Sequence, residues 1–312
     1  MKHLFIVNPV AGGKDRHEYV AEQARLALEG SADAYEVYIT TAPMDACAKI
    51  EAEAASGEEL RVYACGGDGT LNECVNGAVG HDNVAVTHFP CGTGNDFIKM
   101  FGEEKDRFFD LSDLVRGEVR PLDVMECCGR YAVNICSVGI DARIGTSVHN
   151  YSKIPVIGGA TGYVVSLIVN VLKGINRHMR VRIKDFYVDE ELALVCVCNG
   201  RYYGGGFNPS LTARPDDGVL DVFVVKKVGL ITLARMLGKY ASGHADECPQ
   251  YITRIQTDEL SISFDEDNVI NIDGEAVFSK DVNIHVIHNA VKLIVPAGMK
   301  FFEQSAAAAA AV

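Results

Sequence analysis

The chain is 312 residues long, 48% hydrophobic and 23% charged, and its 29 Lys and Arg against 42 Asp and Glu leave a net charge of −13. That is the composition of ordinary globular domains, which excludes a disordered, collagen-like or coiled-coil chain, and at about 150 residues per domain it points to two of them. So acidic a chain makes a poor nucleic-acid coat and gains little from bulk attraction to anionic lipid, so a phosphate-bearing ligand has to be held by local geometry.

The first residues, Met1 to Pro9, carry too short an apolar run for a secretory signal and read as a strand that begins at once. A cytoplasmic setting with reduced thiols is therefore expected for the ten cysteines. No pair of CxxC knuckles occurs, so they read as small buried hydrophobes rather than zinc ligands.

Short β-branched runs then alternate with helical patterns. Strands are predicted at Leu4 to Val7, Tyr35 to Thr40, Leu60 to Ala64 and Val84 to Phe89. Between them lie helices at Glu18 to Glu29, with Val20, Ala24, Ala27 and Leu28 on one side, at Met44 to Ala55 and at Leu71 to Val79. This alternation argues for a parallel sheet with helices on its faces, an α/β domain over residues 1–123.

From about residue 122 the pattern is mostly strand, at Val124 to Cys127, Tyr131 to Ile135, Val181 to Phe186, Leu192 to Val197 and Leu220 to Val225. More follow at Leu260 to Phe264, Val269 to Ile272, Val282 to Val286 and Val291 to Val295. Residues 124–296 thus read as an antiparallel β-sandwich, with helical inserts near 160–173 and 229–241. The tail 297–312 is expected to pack back on the first domain through Met299 to Phe302, ahead of a low-complexity Ala306 to Ala311. The uncharged stretch Ile154 to Leu172 approaches the length of a spanning helix, but Pro155, Gly158, Gly159 and Gly162 dilute it, and a buried or cleft-lining helix is expected instead. The basic run Arg177, His178, Arg180, Arg182 and Lys184 reads either as a membrane-touching patch or as alternating charges on an exposed strand face.

Three glycine-bearing loops follow three of the early strands: Asn8 to Lys14, Gly66-Gly67-Asp68-Gly69-Thr70, and Gly92-Thr93-Gly94-Asn95-Asp96. In an open parallel sheet such loops line the ligand crevice, where glycine lets main-chain N–H groups approach an anion. None is a Walker A or a dinucleotide fingerprint in the right context. Asp68, flanked by glycines in a phosphate cradle, would repel the ligand unless a cation such as Mg²⁺ lay between them.

Taken together, these loops resemble the diacylglycerol-kinase catalytic domain, and within it the soluble bacterial lipid kinases. The likeness runs from about Leu4 to Val295 and includes Asn134 with Gly139-Ile140-Asp141, Gly204-Gly205-Gly206, Asp216 to Asp221, and Asp273-Gly274-Glu275. The resemblance implies an NAD-kinase-like nucleotide domain followed by a β-sandwich lipid-substrate domain, with the active site in the cleft between them. It also implies that Asn8, Lys14, Gly66, Gly67, Asp68, Gly69, Thr70, Gly92, Thr93, Gly94 and Asn95 hold ATP, that Asp68, Asp96 and Asp123 organise Mg²⁺, and that Glu275 is the general base with Asp273 beside it. Read without the family, Asp273-Gly274 is equally a hairpin turn. Members of the family bind a structural Mg²⁺ that Asp217 and the Val219 carbonyl would serve here, but Arg214 occupies the position of an acidic ligand. A guanidinium cannot ligate a cation. The metal is then absent, replaced by Arg214 pairing with Asp217, or completed by Asp216.

The activity implied is ATP- and Mg²⁺-dependent phosphorylation of a diacylglycerol-like lipid met at the membrane surface, by a peripheral protein that could form a homodimer. An NAD kinase, sharing the Gly-Gly-Asp-Gly-Thr loop, and a nucleotide- or lipid-binding regulator without turnover are the alternatives.

Overall fold

The structure, a computed structural model, describes residues 1–140, 142 and 175–302. The chain divides into two compact units, one of Met1–Val124 together with the segment that starts at Ile287, the other of Met125–Val286.

In the first unit, strands β1 (Lys2–Val7), β2 (Ala34–Ile39), β3 (Leu60–Gly66) and β4 (Val84–Pro90) alternate with helices α1 (His17–Ala27), α2 (Asp45–Ala54) and α3 (Asp68–Ala78). All pairings are parallel, with β1 between β2 and β3, and β3 beside β4. Strand β4 is buried along its whole length and β1 and β3 nearly so, as befits a parallel sheet covered on both faces. Helix α1 turns Val20 and Ala24 inward and its C-cap Leu28 is buried after them, the spacing its sequence predicts. Because the chain moves from β1 to β2 on one side and then to β3 on the other, strand order reverses between β1 and β3. A ligand crevice opens at the carboxyl ends of strands at such a point.

No element is predicted between Asp96 and Val115. The structure forms α4 (Asp96–Lys99), a 3₁₀ turn over Gly102–Phe109 and α5 (Leu111–Val115), capped by the Asp110 carboxylate on the Ser112 and Asp113 N–H groups. The Phe101 ring lies 5.1 Å from Phe108 and 4.9 Å from Phe301, so Phe301 packs on this unit.

The strand β5 (Glu118–Cys127) leads into the second unit, which continues with β6 (Arg130–Ala132), β7 (Ile135–Gly139), β8 (Arg177–Ile183), β9 (Phe186–Cys198), β10 (Leu220–Lys226), β11 (Ile252–Thr257), β12 (Glu259–Ile272) and β13 (Glu275–Val295), with helix α6 (Leu230–Ala241) after β10. Strands β7 and β8 each pair antiparallel with both β9 and β12, closing a ring of four. Only long strands can serve two neighbours in succession, and β12 does so, meeting β8 at Ser261 to Ser263 and β7 at Ile270 to Ile272, while its register with β13 shifts between Ser263 and Asn268. Val195, Val197, Val222, Ile262 and Phe264 fill one core, while Cys196, Cys198, Phe223 and Val225 face another shared with Met236 and Tyr240 of α6. Both faces of β9 over residues 192–198 and of β10 over residues 222–225 are therefore buried, which explains the unbroken apolar runs there.

Several expectations are corrected. Helix α3 starts at Asp68, three residues early, because Gly67 is already its N-cap. Tyr131 to Ile135 is broken into β6 and β7 at Val133 and Asn134, whose N–H groups bond a carboxylate instead of a strand. Strand β8 ends at Ile183, since Lys184 adopts φ 50° and turns the chain, placing Phe186 in β9. The last four strand predictions merge into two, and β11 was missed. Residues 287–296 belong to the first unit, not the sandwich, because Lys292 and Leu293 pair in parallel with Ala85 and Val86 of β4. The basic run on β8 is an alternating strand face: Met179, Val181 and Ile183 are buried, Arg180 and His178 pair with Asp265 and Asp189, and Arg182 lies over Tyr187. Among the described residues no helix is long and apolar enough to cross a membrane. The predicted helix near 160–173, the stretch 154–172, Asp141 and Ala306 to Ala311 lie outside the described residues.

Candidate active site

All three glycine loops sit at the carboxyl ends of β1, β3 and β4, and the structure shows what most of their glycines do. A Cβ on Gly92 would lie 2.6 Å from Gly67 Cα, one on Gly66 would lie 2.2 Å from Thr70 Oγ1, and one on Gly12 (φ 63°) would meet the Cys91 carbonyl at 2.5 Å. These glycines let the loops press against one another. Gly69 and Gly13 face open space and are the positions where a ligand can approach the main chain. The N–H groups of Cys91 and Gly92 both donate to the Gly66 carbonyl, so the Gly92 amide ties two loops together rather than pointing at an anion.

The available donors lie at the N-terminus of α3. Its first internal hydrogen bond runs from Leu71 N–H to Gly67 C=O, so the amides of Asp68, Gly69 and Thr70 precede the helix's own ladder. Such a terminus attracts negative charge. Asn8 fastens the first loop to it: Nδ2 donates to Thr70 Oγ1 at 3.3 Å, while Oδ1 accepts from Val10 N–H at 3.1 Å. Lys14 and Thr93 are exposed at the rims. Asn95, at φ 47°, holds the third loop by donating from Nδ2 to the Gly92 carbonyl at 3.0 Å.

One residue here escaped sequence reasoning. His88, buried in β4, lies with Nε2 3.1 Å from the Gly66 carbonyl, which accepts, so Nε2 carries the proton. Burial pushes its pKa down while the Asp68 charge partly opposes this, keeping the ring neutral beneath the loop. Its only sequence signal was a histidine inside an apolar strand that runs into a glycine loop.

Asp68 accepts from Phe97 N–H at 3.0 Å through Oδ1, and its Oδ2 lies 3.1 Å from the place a Gly94 Cβ would take. Asp96 Oδ2 is 3.9 Å from that same point, and Lys99 Nζ donates to its Oδ1 at 2.6 Å. Asp68 and Asp96 thus come together around Gly94. Asp123 stands on β5. It is fully buried and accepts from Asn289 N–H at 2.7 Å, with His288 Nδ1 at 2.8 Å. Among the described residues no three His, Cys, Asp or Glu side chains gather as a metal centre.

In the second unit Asp273 and Gly274 form the turn between β12 and β13, with φ 48° and 100°. The Asp273 carboxylate accepts from the N–H groups of Val133 at 2.6 Å, Asn134 at 3.0 Å and Ile135 at 2.8 Å. Asp273 is therefore a clamp that fixes the β6–β7 link to the turn, and Gly274 N–H is held by Asn271 Oδ1 at 2.7 Å. Glu275, the first residue of β13, is exposed. Arg214 grips Asp216 with two hydrogen bonds of 2.9 and 3.1 Å, and Asp217 Oδ1 accepts from Val219 N–H at 3.0 Å. The acid that was to complete a structural cation site is thus held by a guanidinium.

Residues 2–127 match the family described as the diacylglycerol kinase catalytic domain, and residues 134–295, more than half of the chain, match the YegS C-terminal NAD kinase beta sandwich-like domain. This chain belongs to the diacylglycerol kinase family. A protein of Staphylococcus aureus (strain MRSA252), named as a lipid kinase, is 27% identical over 249 residues, spanning 80% of this chain and 81% of its own. Two solved structures described as diacylglycerol kinases of Bacillus anthracis str. Sterne superpose with TM-scores of 0.73 and 0.70 at 25% and 22% identity, each covering 96% of this chain and 98% of its own. Both domains of the diacylglycerol kinase family are thus present, in the order and at the places the motifs mark, and the chain is a kinase of this lipid-kinase type.

Proposed function

We propose that this chain is an ATP- and Mg²⁺-dependent lipid kinase that transfers the γ-phosphate to a hydroxyl of a diacylglycerol-like lipid at the membrane surface. The observation that carries the reading is the N-terminus of α3, set at the reversal of strand order beside two other loops and an acidic pair. The residues fit a nucleotide with its cation: Mg²⁺ takes oxygen ligands and is held by one or two carboxylates plus the substrate's own phosphates, which matches Asp68 and Asp96 around Gly94. Once bound it would neutralise charge on the phosphate oxygens. The amides of Asp68, Gly69 and Thr70 would hold those oxygens, with Lys14 adding a cation and Asn8 fixing the Thr70 hydroxyl in place. Glu275 would take the proton from the acceptor hydroxyl, a neutral oxygen being a poor nucleophile.

The test is phosphorylation by labelled ATP with Mg²⁺, offering diacylglycerol and NAD side by side. Label should enter the lipid and not NAD. Glu275→Gln should lower turnover by about 100-fold or more, the usual range for a general base, and Asp68→Asn should lower it by weakening the hold on Mg²⁺, each with an unchanged melting temperature. Undiminished lipid phosphorylation by both variants would overturn the assignment, and labelled NAD would make the chain an NAD kinase.

A further inference from the structure

The helix α6 has its inward face in the second core through Met236 and Tyr240, with Leu233 packed against it. Its outward face is also apolar. Leu230 is 53% exposed, Ile231 69% and Leu237 38%, and Ala234 and Gly238 stand exposed between them at helical spacing. Arg235 and Lys239, both exposed, border this stripe on one side. An outward apolar stripe edged by cations is the pattern of a helix lying in a membrane interface. Its 12 residues span about 18 Å, too short to cross a bilayer and sufficient to lie in its surface.

The charge around it is unlike that of the rest of the chain. No acidic residue stands between Asp221 and Asp246, although Asp and Glu number 42 in 312. That interval carries Lys226, Lys227, Arg235 and Lys239, all exposed. Facing acids are Glu191, which pairs with Lys227, and Glu247, which pairs with Lys239. Lys226 and Arg235 have no ion pair among the described residues. The basic run of β8 is different, for its His178 and Arg180 meet Asp189 and Asp265 and its Arg182 lies over Tyr187.

We propose that α6 is the element by which this protein rests on an anionic bilayer, with Leu230, Ile231 and Leu237 entering the headgroup region and Lys226 and Arg235 meeting lipid phosphates. It deepens the lipid-kinase reading, on which its purpose rests: an acidic protein needs a local device to reach a lipid-embedded hydroxyl. The contact is peripheral and reversible, and salt weakens its charged part.

The experiment is sedimentation of the full chain with vesicles of phosphatidylglycerol and phosphatidylcholine (30:70) or of phosphatidylcholine alone, without nucleotide. The wild type should bind the anionic vesicles at least about fivefold more tightly, and less so in added salt. Leu230→Glu with Ile231→Glu should cut binding by about tenfold or more, and Lys226→Glu with Arg235→Glu should abolish the preference for anionic lipid. Circular dichroism confirms that both variants fold. The proposal is overturned if the wild type stays in the supernatant, or if the Leu230→Glu, Ile231→Glu variant sediments like wild type. It is also overturned if that variant merely breaks a solution dimer, which would give the face to a second copy of the chain. Turnover on a short-chain, water-soluble diacylglycerol is measured separately: its absence with vesicle binding intact would sink the lipid-kinase reading and leave the docking helix standing.

Discussion

At Asp273 three main-chain N–H groups converge on one carboxylate, whereas Glu275, two residues on, is exposed. Replacing Asp273 by Ala leaves those donors bare, and buried unsatisfied groups cost about 1–3 kcal/mol each. Asp273→Ala should therefore lower stability by about 3 kcal/mol or more in urea titration, and Asp273→Asn by less, since Oδ1 still accepts. Glu275→Ala should leave the urea midpoint within about 0.5 kcal/mol of wild type while removing turnover. The sequence made these neighbours look like one acidic pair with one role. Nothing local in Asp-Gly-Glu shows that Val133, Asn134 and Ile135, so distant in the chain, supply the first carboxylate's partners.

Loops and strands tell a similar story one level up. The three glycine loops were legible as a set, because each follows an apolar run, but which glycines serve packing and which serve a ligand was not. That division depends on how closely the loops approach. Gly92→Ala, with its Cβ 2.6 Å from Gly67 Cα, should overpack the loops and lose about 1–3 kcal/mol in thermal melts. Gly69→Ala, facing open space within the first turn of α3, should melt at or slightly above the wild-type temperature yet bind ATP more weakly by calorimetry. The alternation of strand and helix in the first unit was readable because its strands are short and, β2 apart, buried on both faces. In the second unit β12 and β13 run on past the polar residues that looked like their ends, since one strand serves two neighbours. Asp273-Gly274 was recognisable as a turn, whereas Cys128-Gly129 makes a comparable turn with φ 53° and 73° from a residue rarely chosen for it.

For the molecule as a whole, acid sensitivity should begin well above the carboxylate range. His3 and His88 are both buried, and burial lowers the pKa of each from its ordinary 6.5, outweighing the opposing charges of Asp33 and Asp68. The unfolded chain then takes up these protons first, so stability is full above about pH 6.5 and is lost as pH falls from there toward the lowered native values. Glu36 and Glu53, held below their ordinary 4.5 by hydrogen bonds from Lys2 and Lys49, add their loss only at lower pH. Urea midpoints should drop between pH 7.5 and 5.5, and His88→Gln should flatten that slope. An equal slope in the variant would remove His88 from the account.

The parallel pairing of Lys292 and Leu293 with β4 also bears on how the polypeptide is made. Synthesis runs from the amino end, so β4 emerges long before the stretch that covers its outer edge. Through translation of all of Met125–Val286, a strand destined for complete burial keeps that edge bare, an open template for pairing with other nascent chains. The amino-terminal unit can therefore close only after Lys292 and Leu293 have been made.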